Sequence, residues 1–138
     1  MLKKMFTTLV MLFSTISFSF ADSVPNMQEG RWEITTEIEM PGMPMKMPPV
    51  THTQCLAKED LVPQSSQSGD ECKITNVEVS GDTVTWVMQC KGQGGETKGT
   101  GEIIYSGTSF KGTIKMIIVE SNMQMTSNMK GSRIGNCN

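Results

Sequence analysis

The sequence predicts a mainly β protein: a single antiparallel meander of about seven strands, curved into a small barrel or half-barrel, with one short helical turn. Three observations carry this. Apolar and polar residues alternate with a period of two along several segments. Turn residues, chiefly Gly, Ser and Asn, punctuate the chain between those segments. Glycines also recur inside the predicted strands, facing large side chains, and glycine at such positions marks bending. With 138 residues the chain has room for one domain.

Residues 1–21 read as an export address. Lys3 and Lys4 precede an uncharged run to Phe20, and Ser19-Phe20-Ala21 places small residues where a signal peptidase reads them. The expectation is a signal peptide cleaved after Ala21, leaving 22–138 as one disulfide-stabilised β domain in the periplasm or secreted. The run is short for a membrane span and rich in Ser and Thr, and no later apolar stretch is long enough. No membrane span is therefore expected after cleavage.

The first strand alternates Trp32, Ile34, Thr36, Ile38 and Met40 with Arg31, Glu33, Thr35, Glu37 and Glu39. Met40-Pro41-Gly42 ends it. Residues 41–49 hold four of the 6 prolines, so they form a loop or an edge excursion. Val50–Cys55 makes a short strand, and Leu56–Leu61, with Lys58, Glu59 and Asp60, supplies the helical turn. Pro63–Gly69 is a loop. Four strands follow, about Lys73–Val79, Thr83–Lys91, Glu96–Tyr105 and Phe110–Glu120, and a last one runs about Met123–Ile134.

Turn lengths propose a register. A two-residue turn at Gly107-Thr108 sets Tyr105 opposite Phe110, Ile103 opposite Gly112 and Gly101 opposite Ile114. A turn at Ser121-Asn122 sets Ile118 opposite Met125 and Ile114 opposite Met129. Trp86 then falls near Gly101 and Met88 near Gly99. All these residues share one face.

The cysteines number 4: Cys55, Cys72, Cys90 and Cys137. An even count in an exported chain implies two disulfides. Their spacings are too wide for the Cys-x-x-Cys pairs of a zinc site. Of the three possible pairings, Cys72–Cys90 is favoured because both flank the hairpin at Gly81-Asp82, and Cys55–Cys137 follows by elimination. One conflict stands. A two-residue turn at Gly81-Asp82 puts Val77 and Val79 beside Trp86 and Val84 but turns Cys72 away from Cys90. A bulge between Cys72 and Val77 would reconcile them.

Composition narrows function. Charged residues make up 19% and the net charge is −2, so the basic stripe that a nucleic-acid partner requires is missing. Glu33, Glu37 and Glu39 share the polar side of a strand, where solvated carboxylates do no acid–base work. The run Gly92–Gly101 has no phosphate-cradling pattern before a helix. His52, the sole histidine, has no nucleophile-elbow serine near it in sequence. No catalytic residue is assigned. Methionine, at 13 residues, is the one unusual abundance. Met43, Met45 and Met47 with His52 form a candidate Cu(I) set, since thioethers are soft ligands. A Met-Pro loop is equally an adaptable apolar contact surface. Met123, Met125 and Met129 fall where the register predicts core.

Several of these features, taken in order, resemble a known family. They are Gly30-Arg31-Trp32-Glu33, Met40-Pro41-Gly42-Met43-Pro44, Cys55-Leu56, the Cys72–Cys90 hairpin carrying Trp86, and Arg133-Ile134-Gly135-Asn136-Cys137. Together they resemble the bacterial exported domain of unknown function numbered 3617, over nearly the whole chain after Ala21. The resemblance implies a small exported domain and no catalytic residues. Gly30-Arg31-Trp32 is also similar to the Gly-x-Trp of lipocalins, and Arg133 to the late Arg that packs over that Trp. That likeness is architectural.

Two functional classes follow. In the first the inner face, with Trp32, Trp86, Met88, Tyr105 and Phe110 as its candidate contacts, holds a small apolar ligand and needs no cofactor. In the second the domain binds an envelope protein through the Met-Pro loop or a sheet edge. A cavity behind the aromatic residues would favour the ligand. A filled inner face with exposed Met43–Met47 would favour the protein partner. Cu(I) binding by the loop is the alternative to both.

Overall fold

The fold is that of a computed structural model, which describes residues 24–63, 71–92 and 95–138. The expected signal peptide, most of the Pro63–Gly69 loop and part of the turn after Gly92 lie outside the described residues. Seven strands form one antiparallel sheet: β1 (Gly30–Glu39), β2 (Val50–Leu56), β3 (Glu71–Ser80), β4 (Thr83–Gly92), β5 (Gly95–Tyr105), β6 (Ser109–Ile118) and β7 (Met123–Gly135). Their order is β2-β1-β7-β6-β5-β4-β3. The strands from β3 to β7 are the expected meander, and β7 then pairs with β1. Among the described residues β2 and β3 stay unpaired on their outer sides, so the sheet is open rather than a closed barrel.

No helix forms among the described residues. The expected helical piece is a single turn, in which the Asp60 N–H donates to the Ala57 carbonyl at 2.9 Å. The reason is length. Leu56 is buried as the last residue of β2, and Leu61 and Val62 already pack on the core. The few residues between cannot repay the cost of nucleating a helix.

Curvature is visible in the core. Trp32 on β1 and Tyr105 on β5 are three strands apart, about 14 Å in a flat sheet. Their ring centroids are 6.4 Å apart, and Phe110 lies 5.5 Å from Trp32 and 5.6 Å from Tyr105. The sheet curls so that its inner face closes on itself. Glycines permit this. A Cβ at Gly101 would overlap the Trp86 ring, and one at Gly131 the Phe110 ring. Each aromatic ring covers the cross-strand glycine opposite it.

The register from the Gly107-Thr108 turn holds: Tyr105 pairs with Phe110, Ile103 with Gly112, Gly101 with Ile114, and Trp86 with Gly101. The last turn does not. Ile118 pairs with Met123 and Ile114 with Ser127, not with Met125 and Met129. The connection spans Val119–Asn122. The Val119 N–H donates sideways to the Glu96 carbonyl at 2.9 Å, and Asn122 turns the chain at φ 54°. A slip of two residues keeps every side chain on its face, so the core assignment survives.

The cysteine conflict resolves as a bulge. Thr75 pairs with Val87 and Glu78 with Thr85, so Asn76 and Val77 together oppose Trp86. Asn76, at φ 51°, absorbs the kink. The extra residue brings Cys72 opposite Cys90. It also turns Val77 outward, 47% exposed, whereas plain alternation had placed it inside.

Candidate functional site

The aromatic set proposed as a ligand lining is a filled core. Trp32, Trp86, Tyr105 and Phe110 are all buried, with Val84, Ile103 and Ile34 between them. Two chain segments close this end. Met27 is buried there, and Gln28 and Asn26 exchange backbone hydrogen bonds with Gly107 at 3.0 and 2.6 Å. On the other side Leu61 and Val62 pack in from the segment after β2. The polar atoms of the aromatics are used: Trp32 Nε1 donates to the Gln28 carbonyl at 3.0 Å and Tyr105 Oη to the Leu61 carbonyl at 2.8 Å. Burial pushes the Tyr105 phenol above its ordinary range. Arg133 stands across from Trp32, and its Nε donates to the Glu29 carbonyl at 2.8 Å.

The opposite end of the inner face is different. Met88, the fifth residue of the proposed lining, is only half-buried there. It belongs to a lateral row across the sheet: Met125 pairs with Met116, Met116 with Gly99, Gly99 with Met88, and Met88 with Ile74. Met116 leans over Gly99, where a Cβ would meet its Cγ at 2.9 Å. One step further out, Met123 is 42% exposed opposite Ile118. The Met-Pro loop leaves β1 at this same end. Its Met43, Met45 and Met47 are 55%, 83% and 47% exposed. Seven methionines from four separate segments thus converge on one open end. The sequence alone did not show this convergence. The signal was present in the inward parity of Met88, Met116 and Met125, but Met125 joins the row only through the four-residue turn before β7.

His52 faces inward on β2, opposite Ile34 and half-buried, while Met43, Met45 and Met47 lie out in the loop. Among the described residues no group of three or more His, Cys, Asp or Glu is placed to hold a metal. Glu33, Glu37 and Glu39 are exposed on the outer face. Two open depressions, about 620 and 370 Å³, also lie on that outer face. The larger is lined by Glu78, Thr85, Thr100, Glu102 and Lys115, with both signs of charge and no aromatic clamp but the back of Trp86.

Both disulfides are present. Cys72–Cys90 joins the paired positions of β3 and β4, with Cα atoms 4.0 Å apart. Cys55–Cys137 ties β2 to the tail after β7, with Cα atoms 5.9 Å apart and β1 lying between the two strands. All four cysteines are engaged, as an oxidising compartment sustains. No helix among the described residues is long and apolar enough to cross a membrane.

Comparison with curated proteins and with solved structures returns no match. A family model matches residues 27–137, from the buried Met27 to the last cysteine. The matched span takes in all seven strands, both disulfides and both ends of the inner face. The chain belongs to the family described as protein of unknown function, DUF3617.

Proposed function

We propose that this domain is a non-catalytic interaction module of the bacterial envelope, periplasmic in location, whose partner is a protein presenting an apolar segment. The contact surface is the methionine-rich end: the Met43–Met47 loop together with Met88, Met116, Met123 and Met125. The observation that carries the reading is the contrast between the two ends of one inner face. The aromatic end is filled and capped, which leaves little room for a small ligand. The methionine end is open and uncharged along its row. Exposed apolar surface is a solubility liability that a contact function explains. Methionine suits such a surface because its flexible thioether adapts to irregular partners.

Site-specific photocrosslinking in the cell tests this. Crosslinkers at Met45 and Met123 are expected to give one discrete protein adduct, and crosslinkers at Thr85 and Thr100 on the outer face none. Equal labelling from both faces would sink the proposal. Replacing Met43, Met45 and Met47 with Leu preserves an apolar contact, since the volumes are close. The same variant destroys a Cu(I) site. Loss of the adduct together with loss of Cu(I) uptake would favour the copper alternative.

A further inference from the structure

The fold sorts its oxidisable side chains by exposure. All four cysteines are held in the two disulfides, so no thiol is free to meet an oxidant first. Trp32, Trp86 and Tyr105 are buried in the aromatic end. The thioethers remain. Met27 and Met129 are buried, and Met88, Met116 and Met125 are half-buried. Met43, Met45, Met47 and Met123 are exposed, Met45 most of all at 83%. These four belong to the methionine-rich end, so the accessible reactive sulfur is gathered where the apolar contact surface lies.

The fold also keeps this sulfur apart from its stability. Residues 41–49 lie outside the strand ladder. Their turn is closed by the Met43 N–H donating to the Met40 carbonyl at 3.3 Å, with Gly42 at φ 91°. Pro41, Pro44, Pro48 and Pro49 have no N–H to donate. Oxidation turns a methionine into a polar, chiral sulfoxide. On Met27 or Met129 the new oxygen would be buried among apolar neighbours, which is costly. On the loop methionines it faces water.

The reaction is a two-electron transfer. The sulfur lone pair attacks one oxygen of a hydroperoxide, and the S–O bond forms as the O–O bond breaks. The proton of the transferred oxygen passes to the leaving oxygen. With hydrogen peroxide the products are the sulfoxide and water: sulfur is oxidised and the peroxide reduced. Reductases return each sulfoxide epimer to the thioether, so the change can be reset.

We propose that Met43, Met45, Met47 and Met123 form an oxidation site, where a hydroperoxide converts the thioethers to sulfoxides and switches off the apolar contact of this end while the fold stays intact. The oxidation stands on exposure, and the switch rests on the proposed function.

Hydrogen peroxide added to the purified protein, with both disulfides intact, tests the site. Peptide mass spectrometry should find sulfoxide forming at Met45 about tenfold faster or more than at Met27 and Met129. In guanidinium, with the disulfides kept, the rates should converge, because only the fold distinguishes these sulfurs. Protein oxidised at the four exposed positions should keep its near-ultraviolet circular dichroism. Equal rates in the folded protein, or loss of the fold when oxidation is confined to the four, overturns the site. The switch is read in the cell, with a photocrosslinker at Met123. Peroxide should cut the protein adduct about fivefold or more in the parent loop. The adduct should persist when Met43, Met45 and Met47 are replaced by Leu, which keeps the apolar volume and has no sulfur to oxidise. An adduct that survives peroxide in the parent, or falls equally in both, overturns the switch. Absence of any adduct before peroxide sinks the proposed function and the switch with it, whereas the order of oxidation is decided on the purified protein alone.

Discussion

Tyr105 concentrates much of what the fold achieves. It is the 1 tyrosine of the chain, its ring sits in the aromatic cluster, and its hydroxyl holds the Leu61 carbonyl. Its phenol is raised by burial, so the folded protein keeps the proton when the unfolded chain would release it. The consequence has a sign. Stability is full below about pH 10, the ordinary tyrosine value, and falls as pH rises beyond it. With one tyrosine, absorbance of the phenolate should appear only together with loss of the near-ultraviolet signal of Trp32 and Trp86. Phenolate appearing well before unfolding would contradict the burial argument. Tyr105→Phe should cost about 1 kcal/mol in denaturant unfolding, the worth of one hydrogen bond. The glycines beneath the aromatics are as demanding. Gly131→Ala drives a methyl into the Phe110 ring and should cost about 1–3 kcal/mol by the overpacking rule. Gly135→Ala, with open space around it, should cost little.

At the scale of the element, one residue in β3 decides a disulfide. Deleting Val77 removes the bulge and moves everything before it by one position. Because side chains alternate, Cys72 then faces away from Cys90. Thiol titration of the unfolded, unreduced deletion variant should find two reactive groups where the parent has none. Formation of the Cys72–Cys90 bond in that variant would refute the bulge argument. The two disulfides should also differ in strength. Their sequence separations are 18 and 82, which the chain-entropy model converts to about 3 and about 4.5 kcal/mol. Replacing Cys55 and Cys137 by Ser should therefore lower stability more than replacing Cys72 and Cys90. The Cys55–Cys137 bond also anchors β2, which among the described residues has one strand beside it.

At the scale of the whole molecule, the curled sheet divides its inner face into a sealed end and an open one. The sealed end holds the aromatics and carries the stability. At the open end Met88 and Met116 still pack against the core, whereas the loop methionines are exposed and contribute little to stability. Replacing Met43, Met45 and Met47 by Leu should shift unfolding free energy by no more than about 0.5 kcal/mol, as for other surface changes. A large loss in thermal unfolding would mean that the loop is packed in solution and would remove it from the proposed contact surface.

Much of this was legible in the chain itself. Alternation around Trp32 and Ile34 fixes which side of β1 is buried, because side-chain parity is local. Cysteine count and hairpin position narrowed the disulfides to the observed pairs, and the parity clash at Cys72 is one that a bulge before Val79 resolves. The proline-rich segment after Met40 declared itself a loop, since proline donates no ladder bond. Other features were decided only in three dimensions. The turn before β7 took four residues because Val119 found the Glu96 carbonyl on β5, a partner more than twenty positions away in sequence. The Leu56–Leu61 piece stayed a turn because both its ends were drawn into the core. Whether the sheet closes depends on accumulated twist and curl across seven strands, to which each strand adds only a small part. The gathering of methionines at one end and the filling of the aromatic end are likewise properties of the assembled sheet. Periodicity fixes a residue's face, and only tertiary packing fixes its neighbours.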